Sequence, residues 1–332
     1  MNNCRLIDGL GRVHTNLRIS VTDRCNLRCF YCMPAENVRF RPTDEMLTAA
    51  EIERFVRAVV PRGISKVRLS GGEPTLRDDL AEIVARVAAV PGLTDLALTT
   101  NGLRLADQAA GLRAAGLGRI NISLDTLRAD AFRRIARREG LDRVLAGIFA
   151  ARDAGFRRIK LNAVAIRGLT EEDVVPLAMF AREHDLQMRF IEFMPLDADG
   201  AWRAEQVLSR ATIRAIVEPA IGPLLPLTAD DPGQVASDYR FADGRGRIGF
   251  INPVTQPFCS RCNRLRLTAE GRLRNCLFST VEWDVRGLLR GGGQPEQIVA
   301  QVEECLAAKR PGHGIQTAEF VRPERAMYQI GG

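Results

Sequence analysis

The chain has 332 residues, 46% of them hydrophobic and 26% charged, with a formal net charge of +7, a size that suits one large or two medium domains with a full core. Its start, Met1-Asn2-Asn3-Cys4-Arg5, has no apolar h-region, and no apolar run approaches the ~18 residues of a membrane span, so a cytoplasmic protein with no membrane partner is expected. Three scattered histidines, His14, His184 and His313, argue against a His-based hydrolytic site or a His-rich metal centre.

The first strand candidate, Leu17–Val21, runs directly into Cys25-x3-Cys29-x2-Cys32. Structural zinc wants four ligands, and no histidine or fourth cysteine is close by in the chain. Three thiolates suit a 4Fe–4S cluster with one iron open to a small chelating ligand. Tyr31, otherwise a packing aromatic, stands where a purine would stack. Thr48 and Glu51 form a capping box ahead of Ile52, Phe55, Val56, Val59 and Val60 at helical spacing. The second strand, Lys66–Ser70, leads into Gly71-Gly72-Glu73-Pro74; paired glycines allow a ligand close to the backbone, and Glu73 can receive an ammonium group. Leu80, Ile83, Val84 and Val87 mark the next helix. Strands follow at Asp95–Thr99, Arg119–Leu124, Ile159–Ala165 and Met188–Phe193, with a helix opened by Thr170 and Asp173 that carries Val174, Leu177, Ala178 and Ala181.

Regular βα repetition implies a parallel sheet with right-handed crossovers, and the strand faces choose between a doubly wound sheet and a barrel. Leu17, Ile19 and Val21 alternate with Arg18 and Ser20; Val67 and Leu69 with Lys66, Arg68 and Ser70; Ile120, Ile122 and Leu124 with Arg119, Asn121 and Ser123; Ile159 and Leu161 with Lys160 and Asn162. A doubly wound sheet is covered on both faces and reads apolar throughout. Here the apolar face must meet the helices, leaving the basic face to line a wet, positive lumen. The expectation is an α/β fold, a partial (βα)6 TIM-like barrel holding an anion.

After Phe193 the rhythm breaks at the turn-rich Asp197–Gly200 and Thr228–Gly233. Two units are therefore expected, the partial barrel over residues 1–214 and a smaller C-terminal region over 215–332. The latter carries Cys259-x2-Cys262-x13-Cys276. A second cluster with an open iron and a zinc knuckle completed by Cys305 both fit this spacing. Between the cysteines, Arg264 and Arg266 sit at i and i+2 of an extended segment and point the same way, which suits clamping an anion. Only three of 47 basic residues are lysines, Lys66, Lys160 and Lys309. Codon bias accounts for most of the arginine excess, and positions where lysine persists point weakly to a site that wants a compact ammonium.

The segment Ser20-Val21-Thr22-Asp23-Arg24-Cys25-Asn26-Leu27-Arg28-Cys29-Phe30-Tyr31-Cys32-Met33-Pro34 resembles the cluster motif of the radical S-adenosylmethionine (SAM) superfamily, and more narrowly that of the GTP 3′,8-cyclase family of molybdenum cofactor (molybdopterin) biosynthesis. The resemblance continues through Arg68 to Pro74, Thr99-Thr100-Asn101-Gly102, Arg119 to Asp125, Arg189 to Pro195, the cysteines at 259–276 and the final Gly331-Gly332. It implies a lyase with SAM and two 4Fe–4S clusters as cofactors. Cys25, Cys29 and Cys32 would hold the catalytic cluster that chelates SAM, with Tyr31, Gly72, Ser123 and Met194 touching SAM and Glu73 nearby. Cys259, Cys262 and Cys276 would hold the second cluster. Arg18, Arg68, Thr99, Lys160, Arg264, Leu265 and Arg266 would bind GTP, with Lys66 and Arg189 helping at the triphosphate. By this resemblance a deoxyadenosyl radical takes the C3′ hydrogen of GTP, and the carbon radical then closes onto C8 of guanine. A downstream cyclic pyranopterin monophosphate synthase would receive the product, the reductant protein is left unnamed, and the oligomeric state is open, a homodimer included. Glu324-Arg325-Ala326-Met327 departs from the family, which more often has a proline there, and leaves the path of the tail open. Two rival readings stand beside this one. A radical enzyme acting on a peptide usually carries a longer C-terminal cysteine array. A zinc-containing nucleic-acid-binding protein would be colourless and show steeply salt-dependent affinity; the expectation here is no nucleic-acid partner.

Overall fold

The computed structural model describes residues 5–229, 231 and 233–331; Cys4 and Gly332 lie outside the described residues. Six βα-type strands come first: β1 (Asn16–Ser20), β2 (Lys66–Ser70), β3 (Asp95–Thr100), β4 (Arg119–Ser123), β5 (Ile159–Ala165) and β6 (Gln187–Glu192). Between and after them lie helices α1 (Ala49–Val59), α2 (Leu80–Ala88), α3 (Leu105–Ala114), α4 (Ala129–Ala136), α5 (Leu141–Asp153), α6 (Glu171–Glu183) and α7 (Arg210–Ile221). β1 to β6 pair parallel in chain order, the α/β partial (βα)6 barrel that the alternating faces predict. The expected strand limits hold to within one residue.

The apolar faces lie on the outside of this sheet. Leu17, Ile19, Val67, Leu69, Leu98, Ile120, Ile122 and Leu161 are all buried against the helices in one continuous core with Ile52, Phe55 and Val56 of α1, each worth about 1.5–3 kcal/mol of burial. The Thr48 capping box forms as expected, Glu51 N donating to Thr48 Oγ1 at 3.2 Å and Thr48 N to Glu51 Oε2 at 2.8 Å. Thr170 differs. It stands at the N-cap of α6 with its hydroxyl turned back to the preceding turn, bonded to Ile166 N and O, and Asp173 instead receives the hydroxyl of Thr126.

The C-terminal region does not stand apart as a separate layer. Its strands β7 (Leu224–Pro226), β8 (Ser237–Phe241), β9 (Arg247–Ile251), β10 (Arg264–Leu267), β11 (Arg272–Arg274) and β12 (Trp283–Asp284) extend both edges of the same sheet, in the order β12-β11-β10-β1-β2-β3-β4-β5-β6-β9-β8-β7. β9 runs parallel to β6, and β10 parallel to β1. Three further helices, α8 (Arg286–Arg290), α9 (Pro295–Ala307) and α10 (Met327–Ile330), complete the chain. The division expected after residue 214 falls inside α7, whose buried Ile213 and Val217 tie it to the barrel's helical layer through α6. No helix among the described residues is long and apolar enough to cross a membrane.

Candidate active site

The polar strand faces enclose a cavity of about 940 Å³. Register sets its wall: Arg18 on β1 lies opposite Arg68 on β2 and Arg266 on β10. Lys66, Lys160, Arg189 and Arg264 line the same space, with Thr99, whose hydroxyl accepts from Arg68 Nη1 at 3.2 Å. Neighbouring strands are about 4.8 Å apart, and like charges at that spacing repel by about 3 kcal/mol at an effective dielectric of about 20. The strain shows in the titration of the wall. Burial, then the Arg68 and Arg266 charges, hold Arg18 well below its usual value. Burial and then Arg119 and Arg189 bring Arg68 down to about 9, and burial and then Arg264 do the same to Arg266. Lys160 falls to about 7 through burial and the charges of Arg189 and Arg119. Partial relief comes from Asp95, Asp231 and Asp238, which pair with Arg119, Lys66 and Arg189. This is a wall built to receive a polyanion.

Cys25, Cys29 and Cys32 follow the end of β1 and line one part of the cavity with Tyr31, Gly72, Glu73, Ser123 and Met194. The glycines line the cavity and also admit the protein's own backbone. Gly72 N donates to Thr22 O and Glu73 N to Arg24 O, both at 2.7 Å, and a Cβ on Gly72 would lie 2.6 Å from Asp23 O. Glu73, only 1% exposed, accepts from Thr75 N, Thr75 Oγ1, Thr100 Oγ1 and Asn101 N. Three of these donors converge on Oε1 and one, Asn101 N, reaches Oε2, so Glu73 organises this loop while Oε2 keeps room for a further donor. Asn101, held in turn, points Nδ2 at Cys25 Sγ at 3.8 Å. Tyr31 is fixed by its hydroxyl, which donates to Asp125 Oδ2 at 2.7 Å. Burial chiefly, with Glu73 beside it, pushes the Cys25 thiol up to about 11, and burial also raises Cys29 and Cys32. Metal binding must therefore displace their protons.

Cys259, Cys262 and Cys276 line the opposite part of the cavity. Asn16 N donates to Asn263 O, which sets this group at the start of β1, whereas the first triplet follows its end. β1, five residues and so about 16 Å long, therefore runs between the two sets. Burial raises the Cys262 thiol, but the Arg264 and Lys309 charges outweigh it and bring the group down to about 6. Cys305, the fourth ligand of the zinc alternative, is fully buried in the hydrophobic core on α9. Among the described residues no three Cys, His, Asp or Glu side chains converge on a point that one metal ion would fill. Three thiolates in each set, with no fourth protein ligand among the described residues, suit a 4Fe–4S cluster that keeps one iron open.

One expected contact is corrected. Leu265 is fully buried in the core and pairs with Leu17, because strand alternation turns it away from the face that carries Arg264 and Arg266. Other wall residues were not among the expected ligand contacts. Asn121 and Asn162 sit on the polar face, and their buried Oδ1 atoms, like Ser70 Oγ and Arg189 Nε, have no protein partner; the strand alternation carried that signal. Arg158, Asp125 and Asn263, which also line the cavity, gave none. The tail's path is also visible. Tyr328 packs with Met33 beside Cys25 and Cys32, Met327 reaches the cavity, and Gly331 O accepts from Arg266 Nη1 at 2.7 Å.

Comparison with known proteins agrees with this architecture. Residues 19–181 match the Radical SAM superfamily and residues 186–315 match Molybdenum Cofactor Synthesis C. GTP 3′,8-cyclase of Rhodopirellula baltica is 49% identical over 330 residues, covering 98% of this chain and 92% of that protein. The enzyme of the same name from Streptomyces coelicolor is 44% identical over 332 residues, with 98% and 96% covered. Streptococcus suis SuiB bound to precursor peptide SuiA superposes with a TM-score of 0.61 at 16% identity. That match covers 83% of this chain and 64% of SuiB, and it bears on the fold alone. With both family segments and near full-length relatives in agreement, the chain belongs to the radical SAM superfamily and, within it, to the GTP 3′,8-cyclase family.

Proposed function

We infer that the chain is a radical SAM lyase that converts GTP to (8S)-3′,8-cyclo-7,8-dihydroguanosine 5′-triphosphate in molybdenum cofactor biosynthesis. The observation that carries this reading is one cavity with a thiol triplet at either end and a cationic wall between them. Cys25, Cys29 and Cys32 hold the first 4Fe–4S cluster, and Cys259, Cys262 and Cys276 the second. When bound, the first cluster and SAM supply one-electron chemistry that yields methionine and a deoxyadenosyl radical. The chain's own residues bind, orient and exclude water. Tyr31, Gly72, Ser123 and Met194 contact SAM, over a loop that Glu73 holds in shape. Arg18, Arg68, Thr99, Lys160, Arg264 and Arg266 grip GTP, and Lys66 and Arg189 serve the triphosphate after release from Asp231 and Asp238. Guanidinium forks suit phosphate oxygens bidentately, and the length of β1, about 16 Å, leaves room for a nucleoside triphosphate between the thiol sets. The working division of the chain is the barrel with SAM on one side and the second-cluster region after α7 on the other. The product passes to a separate cyclic pyranopterin monophosphate synthase, and the enzyme works in the cytoplasm.

The test is anaerobic incubation of the reconstituted protein with reductant, SAM and GTP, followed by product analysis. A brown protein absorbing near about 400 nm that forms deoxyadenosine and cyclised GTP is expected. A colourless zinc protein, or deoxyadenosine formation that GTP does not influence, contradicts the reading.

A further inference from the structure

Lys309 stands behind the second cysteine set, outside the wall that grips GTP. It follows α9 and is only 6% exposed. Its Nζ donates to Asn275 O at 2.6 Å and to Arg264 O at 2.9 Å, and lies 3.6 Å from Cys262 Sγ. An ammonium has three donors and no acceptor, and this geometry engages all three. The carbonyls come from β10 and from the residue after β11, two adjacent strands of the sheet, so the third N–H is aimed at the sulfur by rigid backbone. Two of the three partners are neutral, and a buried ammonium needs an anion. A Cys262 thiolate, the form cluster binding requires, would be that anion. The first thiol set is addressed differently: Cys25 Sγ meets the Leu27 amide at 3.4 Å and the Asn101 side-chain amide at 3.8 Å, both neutral donors.

Resting on the reading that Cys259, Cys262 and Cys276 hold the second cluster, we propose that Lys309 is a positioning residue that fixes a positive charge against the Cys262 ligand and so sets that cluster's reduction potential. Reduction adds one electron to the cluster, and an ammonium held at its ligand stabilises the more negative state. The two clusters would then differ in potential partly because one is hydrogen-bonded by a full charge and the other by amides. Arginine would not substitute: its planar fork is wider than a point charge and cannot reach two carbonyls and a sulfur from one nitrogen.

The experiment uses the full-length chain carrying Cys25→Ser, Cys29→Ser and Cys32→Ser, so that only the second cluster gives a signal. It is reconstituted anaerobically, assayed for iron and titrated redox-potentiometrically with EPR detection. Lys309→Met removes charge and donor; Lys309→Gln keeps a donor without charge. Both should retain the cluster's iron, with the reduction equilibrium about tenfold less favourable, which is about 59 mV for a one-electron couple. Loss of iron in Lys309→Met alone, with the shift seen in Lys309→Gln, also supports the proposal. Unchanged potential in both overturns it. So does a shift in Lys309→Met that Lys309→Gln fully restores, since the charge would then be irrelevant. Loss of iron from both variants, with a lower Tm of the metal-free chain, makes Lys309 a structural post and overturns it too. If the chain with Lys309 intact binds no iron, the second-cluster reading itself fails, and the two failures stay distinct.

Discussion

Lys160 is the lumen cation whose shifted ionisation falls in the neutral range. Burial, and then Arg189 and Arg119, take its ammonium from 10.5 to about 7. At about 1.4 kcal/mol per unit, the charged form is disfavoured by about 5 kcal/mol in the ligand-free cavity. A triphosphate reverses the sign of the local field, so Lys160 takes up a proton as GTP binds. Proton uptake by this group should rise from about half a proton per GTP at pH 7 towards one at about pH 8.5, and the Kd for GTP should climb by up to about tenfold per pH unit across that range. Isothermal titration calorimetry in two buffers of different ionisation heat reads the proton number directly. Lys160→Met has no titrating group, and subtracting it removes the titration of GTP itself. The stability sign follows from the same shift. Between about pH 7 and 10.5 the unfolded chain binds the proton and the folded chain does not, so the ligand-free parent should gain stability with rising pH relative to Lys160→Met. Equal proton uptake by parent and variant at about pH 8.5 would refute a largely neutral Lys160.

Three further outcomes test the site. Cys25→Ser should abolish deoxyadenosine formation, whereas Cys259→Ser should keep the first cluster and lose cyclised product; full product yield from Cys259→Ser would remove the second set from the mechanism. Arg264→Ala and Arg266→Ala each delete a charge-assisted grip worth about 1.5–3 kcal/mol, so the KM for GTP should rise about ten- to a hundredfold with iron content unchanged, and loss of iron would mark the segment as structural. Gly72→Ala forces a Cβ onto the Asp23 and Arg24 carbonyls, a backbone clash of several kcal/mol; the first cluster should assemble poorly, as seen in iron content and Tm, and normal assembly would mean the two loops separate easily.

The two cysteine sets, the strand limits and the positive lumen were legible in the chain because each is a local pattern. Thiol spacing names a cluster, and a period of two names the face on which Arg18, Arg68 and Lys160 sit. That same periodicity also marked Asn121 and Asn162, and excluded Leu265 from the wall. The motif-level resemblance outran this geometry when it counted Leu265 as a contact. Glu73 illustrates a different limit. Its type suggested a ligand for an ammonium, but not that Thr100 and Asn101, 27 and 28 residues away, donate to its carboxylate, and no local pattern reports such distant partners.

What the sequence determined on its own is the kind of chemistry and the orientation of each strand, because both depend on neighbours a few residues apart. Only the tertiary structure decided where the two halves meet. β10 pairs with β1 across almost 250 residues of chain, bringing Arg266 beside Arg18 in register and Lys309 against Cys262. The tail, whose path the sequence left open, brings Gly331 O onto Arg266. Closure of a sheet by distant strands is a non-local choice, made by the packing of whole faces against one core, and it is that choice which gives one cavity two thiol sets.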